Sequence, residues 1–222
     1  MIGQTKRPFV RYTSGKRSGG KWLVSESWRL FVALHLPSEV IATLDAAQHL
    51  LRAAVPQGAI SWVAPRSIHL TLKFLGEVPL NQRDAITEAL TTVACAHAPF
   101  DLSTGGLGCF PHQRNPRVVW IGVQGQLKAL QLLRDAVEGA IAPLGYPTED
   151  RPFSPHLTLG RVRRDAQRSA VQTLGAAIAS VAAPPAVTWT VTEVALFRSE
   201  LKPTGAVYTL LHRARLSQLP GR

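Results

Sequence analysis

The sequence predicts an α+β protein of two pseudo-symmetric lobes, each a mainly antiparallel sheet backed by helices, with a central cleft between them. Three observations carry this. The word His-Leu-Thr-Leu occurs at residues 69–72 and again, 87 residues later, at 156–159. Around each copy the expected elements run in one order: strand, helix, HLTL strand, helix, strand. The approach to each motif is also alike, with 38 residues from Phe31 to His69 and 37 from Val119 to His156, which suggests an internal duplication with each half supplying one sheet. Side chains alternate across a strand, so in each copy the His and Thr share one face and the two leucines the other.

The elements follow in order from local pattern. Residues 1 to about 27 form a basic, Gly/Ser-containing stretch without periodicity, expected to be a disordered arm. Gly15 to Lys21 spells G-x-x-x-x-G-K, but Trp22 follows where Ser or Thr should stand, and no strand precedes it, so a phosphate loop is rejected. Leu30 to Leu34 reads as a buried strand and Val40 to Val55 as an amphipathic helix opened by Pro37-Ser38. A short strand at Ile60 to Val63 precedes the first HLTL strand, which ends at Gly76, with Ile68 and Phe74 continuing its alternation and Phe74 expected in the core. A helix over 80–96 and a strand from Phe100 to Leu107 complete the first half. The second opens with a strand from Arg117 to Val123, a helix from Leu127 to Ile141 and a stop at Gly145. After the loop Thr148 to Pro155 come the second HLTL strand, a helix over 165–180, one long strand from Val187 to Arg198 and a last one from Val207 to His212. The expected organisation is an arm over 1–27, a bilobal body over 28–216 with halves of about 28–110 and 116–200, and a tail over 217–222.

Composition narrows the class. No apolar run approaches the ~18 residues of a membrane span, and residues 1 to 28 lack the apolar segment of a secretory signal. A cytoplasmic enzyme without membrane contact is expected. Cys95 and Cys109 fit no metal spacing and read as small buried hydrophobes. Of the formal charge of +11, +6 falls within residues 1–29, where seven Lys and Arg face Glu26 alone. The body keeps the rest, a balance that favours a phosphate-bearing partner.

The paired motif has a definite chemistry. Two imidazoles titrating near ~6.5 can divide acid and base roles close to neutrality. On facing lobes they suit in-line displacement at phosphorus, where attacking and leaving oxygens lie on opposite sides. Thr71 and Thr158, two residues after each His, are placed to hydrogen-bond the non-bridging oxygens. Neither motif offers a carboxylate or thiolate, so no metal and no cofactor is implied. Lys73 lies on the same expected face as His69 and Thr71 and is a candidate for backbone-phosphate contact. Arg117 can reach a phosphate or cap its strand, and Phe153 can be a base platform or core. His35, His49, His97, His112 and His212 show no linking spacing.

HLTLKFLGEV and RPFSPHLTLGR resemble the two-histidine phosphoesterase superfamily and, more narrowly, the LigT-like RNA 2′,3′-cyclic phosphodiesterases, also called 2′-5′ RNA ligases. The resemblance runs from about Trp28 to Leu216 and takes in Arg29-Leu30-Phe31-Val32-Ala33, Trp62-Val63, Pro116-Arg117-Val118-Val119-Trp120, Glu149-Asp150-Arg151-Pro152-Phe153 and Phe197-Arg198-Ser199-Glu200-Leu201. It implies hydrolysis of a terminal 2′,3′-cyclic phosphate to a 2′-phosphate, with His69 as proton donor, His156 as proton acceptor, and Thr71 and Thr158 on the phosphate. Arg161 matches the basic position of H-L-T-L-x-R. Strand alternation sets it on the opposite face from His156, so it reaches the site only if the strand bends or bulges. The implied partners are RNA 3′ ends or small cyclic-phosphate nucleotides, met by a monomer with no obligate protein partner. The alternatives are 2′-5′ joining by the same site, or an RNA-binding or nucleotide-binding module without turnover.

Overall fold

The structure, a computed structural model, describes residues 26–202 and 205–217; the expected arm, apart from residues 26 and 27, and nearly all of the tail lie outside them. Among the described residues nine strands form two antiparallel sheets. Sheet 1 has the order β3-β1-β8-β9, from β1 (Ser27–Leu34), β3 (Leu70–Pro79), β8 (Glu193–Lys202) and β9 (Gly205–Arg215). Sheet 2 has the order β2-β6-β5-β4-β7, from β2 (Ile60–Trp62), β4 (Phe100–Phe110), β5 (Val118–Gly125), β6 (His156–Val162) and β7 (Thr188–Val191). The α+β class with two facing antiparallel sheets is as the sequence predicts.

The sheets do not each come from one half of the chain, as the duplication had suggested. Each half pairs its opening strand with its own HLTL strand, β1 with β3 and β5 with β6, but lends its last strand to the other sheet. Strand β4 pairs with β5, and β8 pairs with β1. The expected single strand from Val187 to Arg198 is likewise two: β7 pairs with β4 in sheet 2 and β8 with β1 in sheet 1, the chain crossing at Thr192. Continuous β-branched sequence hides such a crossing, because both segments are good strand formers.

The helices exchange too. Helix α1 (Ser38–Ala54), which follows β1, packs with α4 (Arg168–Ser180) behind sheet 2, and its fully buried Gln48 bonds the Val63 and Leu159 carbonyls at 2.7 and 2.8 Å. Helix α3 (Leu127–Ile141), which follows β5, packs with α2 (Arg83–Cys95) against β3 of sheet 1. Each helix buries an apolar stripe at helical spacing, Val40, Leu44, Ala47 and Leu51 in α1 and Leu130, Leu133, Val137 and Ile141 in α3. These stripes meet the leucines of both motifs, Leu70, Leu72, Leu157 and Leu159, in one continuous core. The opposite faces of the sheets are left for chemistry. Among the described residues no helix is long and apolar enough to cross a membrane.

Candidate active site

His69 stands immediately before β3 and His156 opens β6, at matching places in the two sheets. Both rings are anchored in the same way. His69 Nδ1 donates to the Ser67 carbonyl at 2.9 Å and His156 Nδ1 to the Ser154 carbonyl at 2.7 Å, in each case two residues upstream. A carbonyl only accepts, so Nδ1 carries the proton in both and Nε2 is left for the substrate. Thr71 and Thr158 are half-buried beyond them, and neither hydroxyl is bonded to another described residue.

The surroundings then diverge. His69 lies on Phe31, ring centroids 4.5 Å apart and 28° between planes, and meets the Tyr208 ring edge-on at 5.0 Å. Phe31 in turn stacks on Phe197 at 5.3 Å, and with Ala33 and Ala195 these rings form a small core on the cleft face of sheet 1. His156 has Phe110 edge-on at 4.9 Å and Trp120 at 6.3 Å. Burial pushes the His69 imidazole below its ordinary value, against the pull of its Ser67 bond. Burial also lowers His156, opposed by the Ser154 bond and reinforced by the charge of Arg161.

Arg161 reaches this face through a bulge. Trp120 pairs with Thr158 but Val119 pairs with Gly160, so Leu159 is an extra residue and the alternation flips beyond it. The buried Leu159 carbonyl is taken up by the Gln48 amide and by the Val63 N–H at 2.9 Å. The charge of Arg161 acts on His156 from its own sheet and on Tyr208 from the other, and Tyr208 touches His69. Arg161 thus stands close to the His of its own sheet and to the aromatic neighbour of the His of the other.

Sheet 1 carries the same bulge at the same place, and it overturns two expectations. Ala33 pairs with Thr71 and Val32 with Lys73, which makes Leu72 the extra residue. Lys73 is consequently turned away from the cleft. It is 2% exposed and bonds the Glu138 carboxylate of α3 and, at 2.8 Å, the Pro147 carbonyl. A phosphate contact is closed to it, and it ties β3 to the loop that leads into His156. Phe74, expected in the core, is 65% exposed on the cleft face, cross-strand from Phe31. It occupies in sheet 1 the place that Arg161 occupies in sheet 2, five residues after the His.

The other candidates fare differently. Phe153 is half-buried against the main core with the Arg134 guanidinium 5.6 Å over its ring, so it offers packing and not a free platform. Arg117 is exposed just before β5, where its N–H bonds the Phe110 carbonyl at 2.7 Å and its carbonyl accepts from Val162 at 2.9 Å. Its main chain thereby joins three strand ends. Cys109 is buried, as expected, and Cys95 half-buried. Among the described residues no cluster of His, Cys, Asp or Glu could hold a metal ion.

The description "2′-5′ RNA ligase superfamily" matches residues 36–203. The chain belongs to that superfamily. It is 37% identical over 199 residues to an RNA 2′,3′-cyclic phosphodiesterase of Thermus thermophilus, covering 87% of this chain and 93% of the relative. A protein of the same name from Methanothermobacter thermautotrophicus is 32% identical over 188 residues, covering 85% and 98%. Among solved structures, LigT of Escherichia coli complexed with 3′-AMP superposes with a TM-score of 0.69 at 28% identity, covering 87% of this chain and 100% of that one. TT0787 of Thermus thermophilus gives 0.68 at 34% identity, with 85% and 97% covered.

Proposed function

We propose that the protein hydrolyses a terminal 2′,3′-cyclic phosphate on RNA or on a nucleotide to a 2′-phosphomonoester by two-histidine acid–base catalysis. The observation that supports this reading is the matched pair of imidazoles, each fixed through Nδ1 by a main-chain carbonyl so that Nε2 is left for a substrate. The relatives named for this activity at 32–37% identity support it. His156 Nε2 takes a proton from water as its oxygen attacks phosphorus, the P–O3′ bond breaks, and His69 Nε2 protonates the departing O3′. The charge of Arg161 favours neutral His156, which suits the base, and is itself placed to pair with a phosphate oxygen. The free hydroxyls of Thr71 and Thr158 hold the non-bridging oxygens. Opening of the strained ring supplies the driving force, and the scheme uses neither metal nor cofactor.

In this reading residues 28–216 are the catalytic body, working as a monomer in the cytoplasm without an obligate partner, and residues 1–27 and 217–222 lie outside it. The test is to incubate the protein, in chelator, with a short RNA ending in a 2′,3′-cyclic phosphate and to locate the phosphate in the product. A 2′-phosphate, absent with His69→Ala, is expected. Binding without turnover would make the protein an RNA-binding module.

A further inference from the structure

The two motif histidines are anchored alike, but their anchors are not held alike. The Ser67 carbonyl that fixes His69 belongs to a locally bonded turn, the short 3₁₀ helix Pro65–Ser67. There the Ser67 N–H bonds the Ala64 carbonyl at 2.7 Å and the Ile68 N–H bonds the Pro65 carbonyl at 3.1 Å. The Ser154 carbonyl that fixes His156 has no such turn. Among the described residues, 148–155 make no hydrogen bond besides the one from His156 to Ser154, and no ion pair. Residues 148–152 are exposed. What sets this carbonyl must therefore act from the ends of the loop.

Both ends lead to one buried carboxylate. At the start, Lys73 donates to the Pro147 carbonyl at 2.8 Å and to Glu138 of α3, and each of these side chains is almost wholly removed from water, both residues being 2% exposed. Just upstream, the Tyr146 hydroxyl bonds the side chain of Gln82, which follows β3. At the far end, Arg134 lies one helical turn before Glu138 and 3.2 Å from the same carboxylate, and its guanidinium stands 5.6 Å over the ring of Phe153, the neighbour of Ser154. Arg134 also meets Asp135 at 3.1 Å. Pro152 and Pro155 bracket Phe153 and Ser154 and fix φ on both flanks, so little slack separates the ring from the carbonyl.

A buried ion pair is seldom more stabilising than apolar side chains of the same size. Stability alone does not account for this cluster, whereas its geometry does: one carboxylate organises two cations, and each cation holds one end of the loop. The cluster also joins the two halves of the chain. Lys73 comes from the strand that follows His69, while Glu138, Arg134 and the loop precede His156. We propose that Lys73 and Glu138 are positioning residues for His156, holding the Ser154 carbonyl where it accepts from Nδ1 and so keeping Nε2 free of a proton. The proposal rests on the acid–base reading above, in which His156 Nε2 receives the proton of water. Which ring nitrogen is protonated is set by the bond that the other makes. Once the carbonyl drifts, the Nε2–H tautomer becomes populated, and that form is no base toward the substrate.

The experiment compares full-length wild type, Lys73→Met and Lys73→Met/Glu138→Leu. It reads the tautomers of both histidines by nitrogen NMR at a pH where the rings are neutral, and kcat and KM on a mononucleoside 2′,3′-cyclic phosphate. In the wild type both rings should be Nδ1–H. The double variant removes both buried charges while Arg134 keeps Asp135, so its urea stability should return toward wild type. Its His156 should nevertheless show mixed tautomers while His69 stays Nδ1–H. Its kcat should fall about ten- to hundredfold, the effect of displacing a reacting group by up to about 1 Å, with KM unchanged. Phe153→Leu leaves the charges in place and should shift the His156 tautomer the same way by less, which keeps the test open if the charge variants do not fold. Recovered stability together with wild-type kcat and an unchanged His156 tautomer would reduce the cluster to packing and overturn the proposal. Both histidines changing together, the mark of general loosening, would also overturn it, as would a higher KM at constant kcat, which would make the loop a binding element. A wild type that turns over no cyclic phosphate would overturn the acid–base reading, and the tautomers would still decide whether the cluster holds His156.

Discussion

The two sheets present the same backbone to the cleft and different chemistry on it. Each has a His fixed by the carbonyl two residues before it, a Thr two residues after it, and a bulge at the following Leu. Beyond the bulge, sheet 1 carries Phe74 and sheet 2 carries Arg161. On sheet 1 the His rests on the stacked rings of Phe31 and Phe197 with Tyr208 edge-on to it, whereas on sheet 2 it stands beside Phe110, Trp120 and a cation. Symmetry of the main chain supplies two equivalently anchored imidazoles, one from each sheet. The side chains then break the symmetry, making one wall apolar and the other basic, and a reaction that needs an acid on one side and a base on the other requires that break.

The comparison can be broken most directly at the histidines. His69→Ala and His156→Ala should each lower kcat/KM by about 10²–10⁴-fold, and the double variant should lose little more than the worse single one, because the pair acts as a unit. An active His69→Ala enzyme would show that the walls are not partners.

Next in size is Lys73→Met, which removes a buried cation from Glu138 and from the Pro147 carbonyl while Arg134 stays 3.2 Å from that carboxylate. A loss of about 2–4 kcal/mol in urea unfolding is expected, less than for a carboxylate left wholly unpaired. A neutral result would mean that the buried pair contributes nothing over its isostere.

Arg161→Gln and Phe74→Ala sharpen the contrast between the residues that follow the bulges. Arg161→Gln should reduce kcat/KM about ten- to a hundredfold, the worth of a charge-assisted bond to phosphate. Since Arg161 lowers the His156 pKa, its removal should raise that pKa and move the acid limb of the pH–rate profile to higher pH. Phe74→Ala should raise KM about fivefold, as for one weak base stack, and leave both limbs in place. If Phe74→Ala moves a limb, the aromatic wall tunes the histidines as well.

The smallest effect is in the wild-type profile. Both imidazoles are held below their ordinary value in the free protein, so the kcat/KM bell should peak on the acid side of neutrality. The two limbs would belong to the coupled pair and not to single residues. A profile flat from pH 5 to 9 would contradict two titrating histidines.

Much of this was legible in the sequence. The duplicated word located both imidazoles and both threonines, and helix α3 occupies the Leu127 to Ile141 span read from its apolar period. What escaped was whatever lies past a change of register. Alternation assigns faces only as far as the first bulge, so it read Lys73 into the cleft and Phe74 out of it, and the reverse is true. A trace of the bulge was present: Phe74 and Leu75 are consecutive large apolar residues, which no strict period of two accommodates. Strand partners were hidden for another reason. That β4 joins β5, and β8 joins β1, is settled by which edge lies open after the first pairs form, and local pattern does not encode it.

The exchanged strands and helices also decide what the smallest foldable unit is. Cut between residues 110 and 116, the first piece keeps β4 without β5 and helix α1 without the sheet it covers, and the second keeps β8 without β1 and α3 without β3. Neither piece can close its own core, yet each holds what the other lacks. Two separately expressed halves should be recovered as a complex or as insoluble chains. A single half could close only by taking a second copy of itself as the missing partner, so a protein built on this plan from one repeat would be an obligate, mutually threaded dimer.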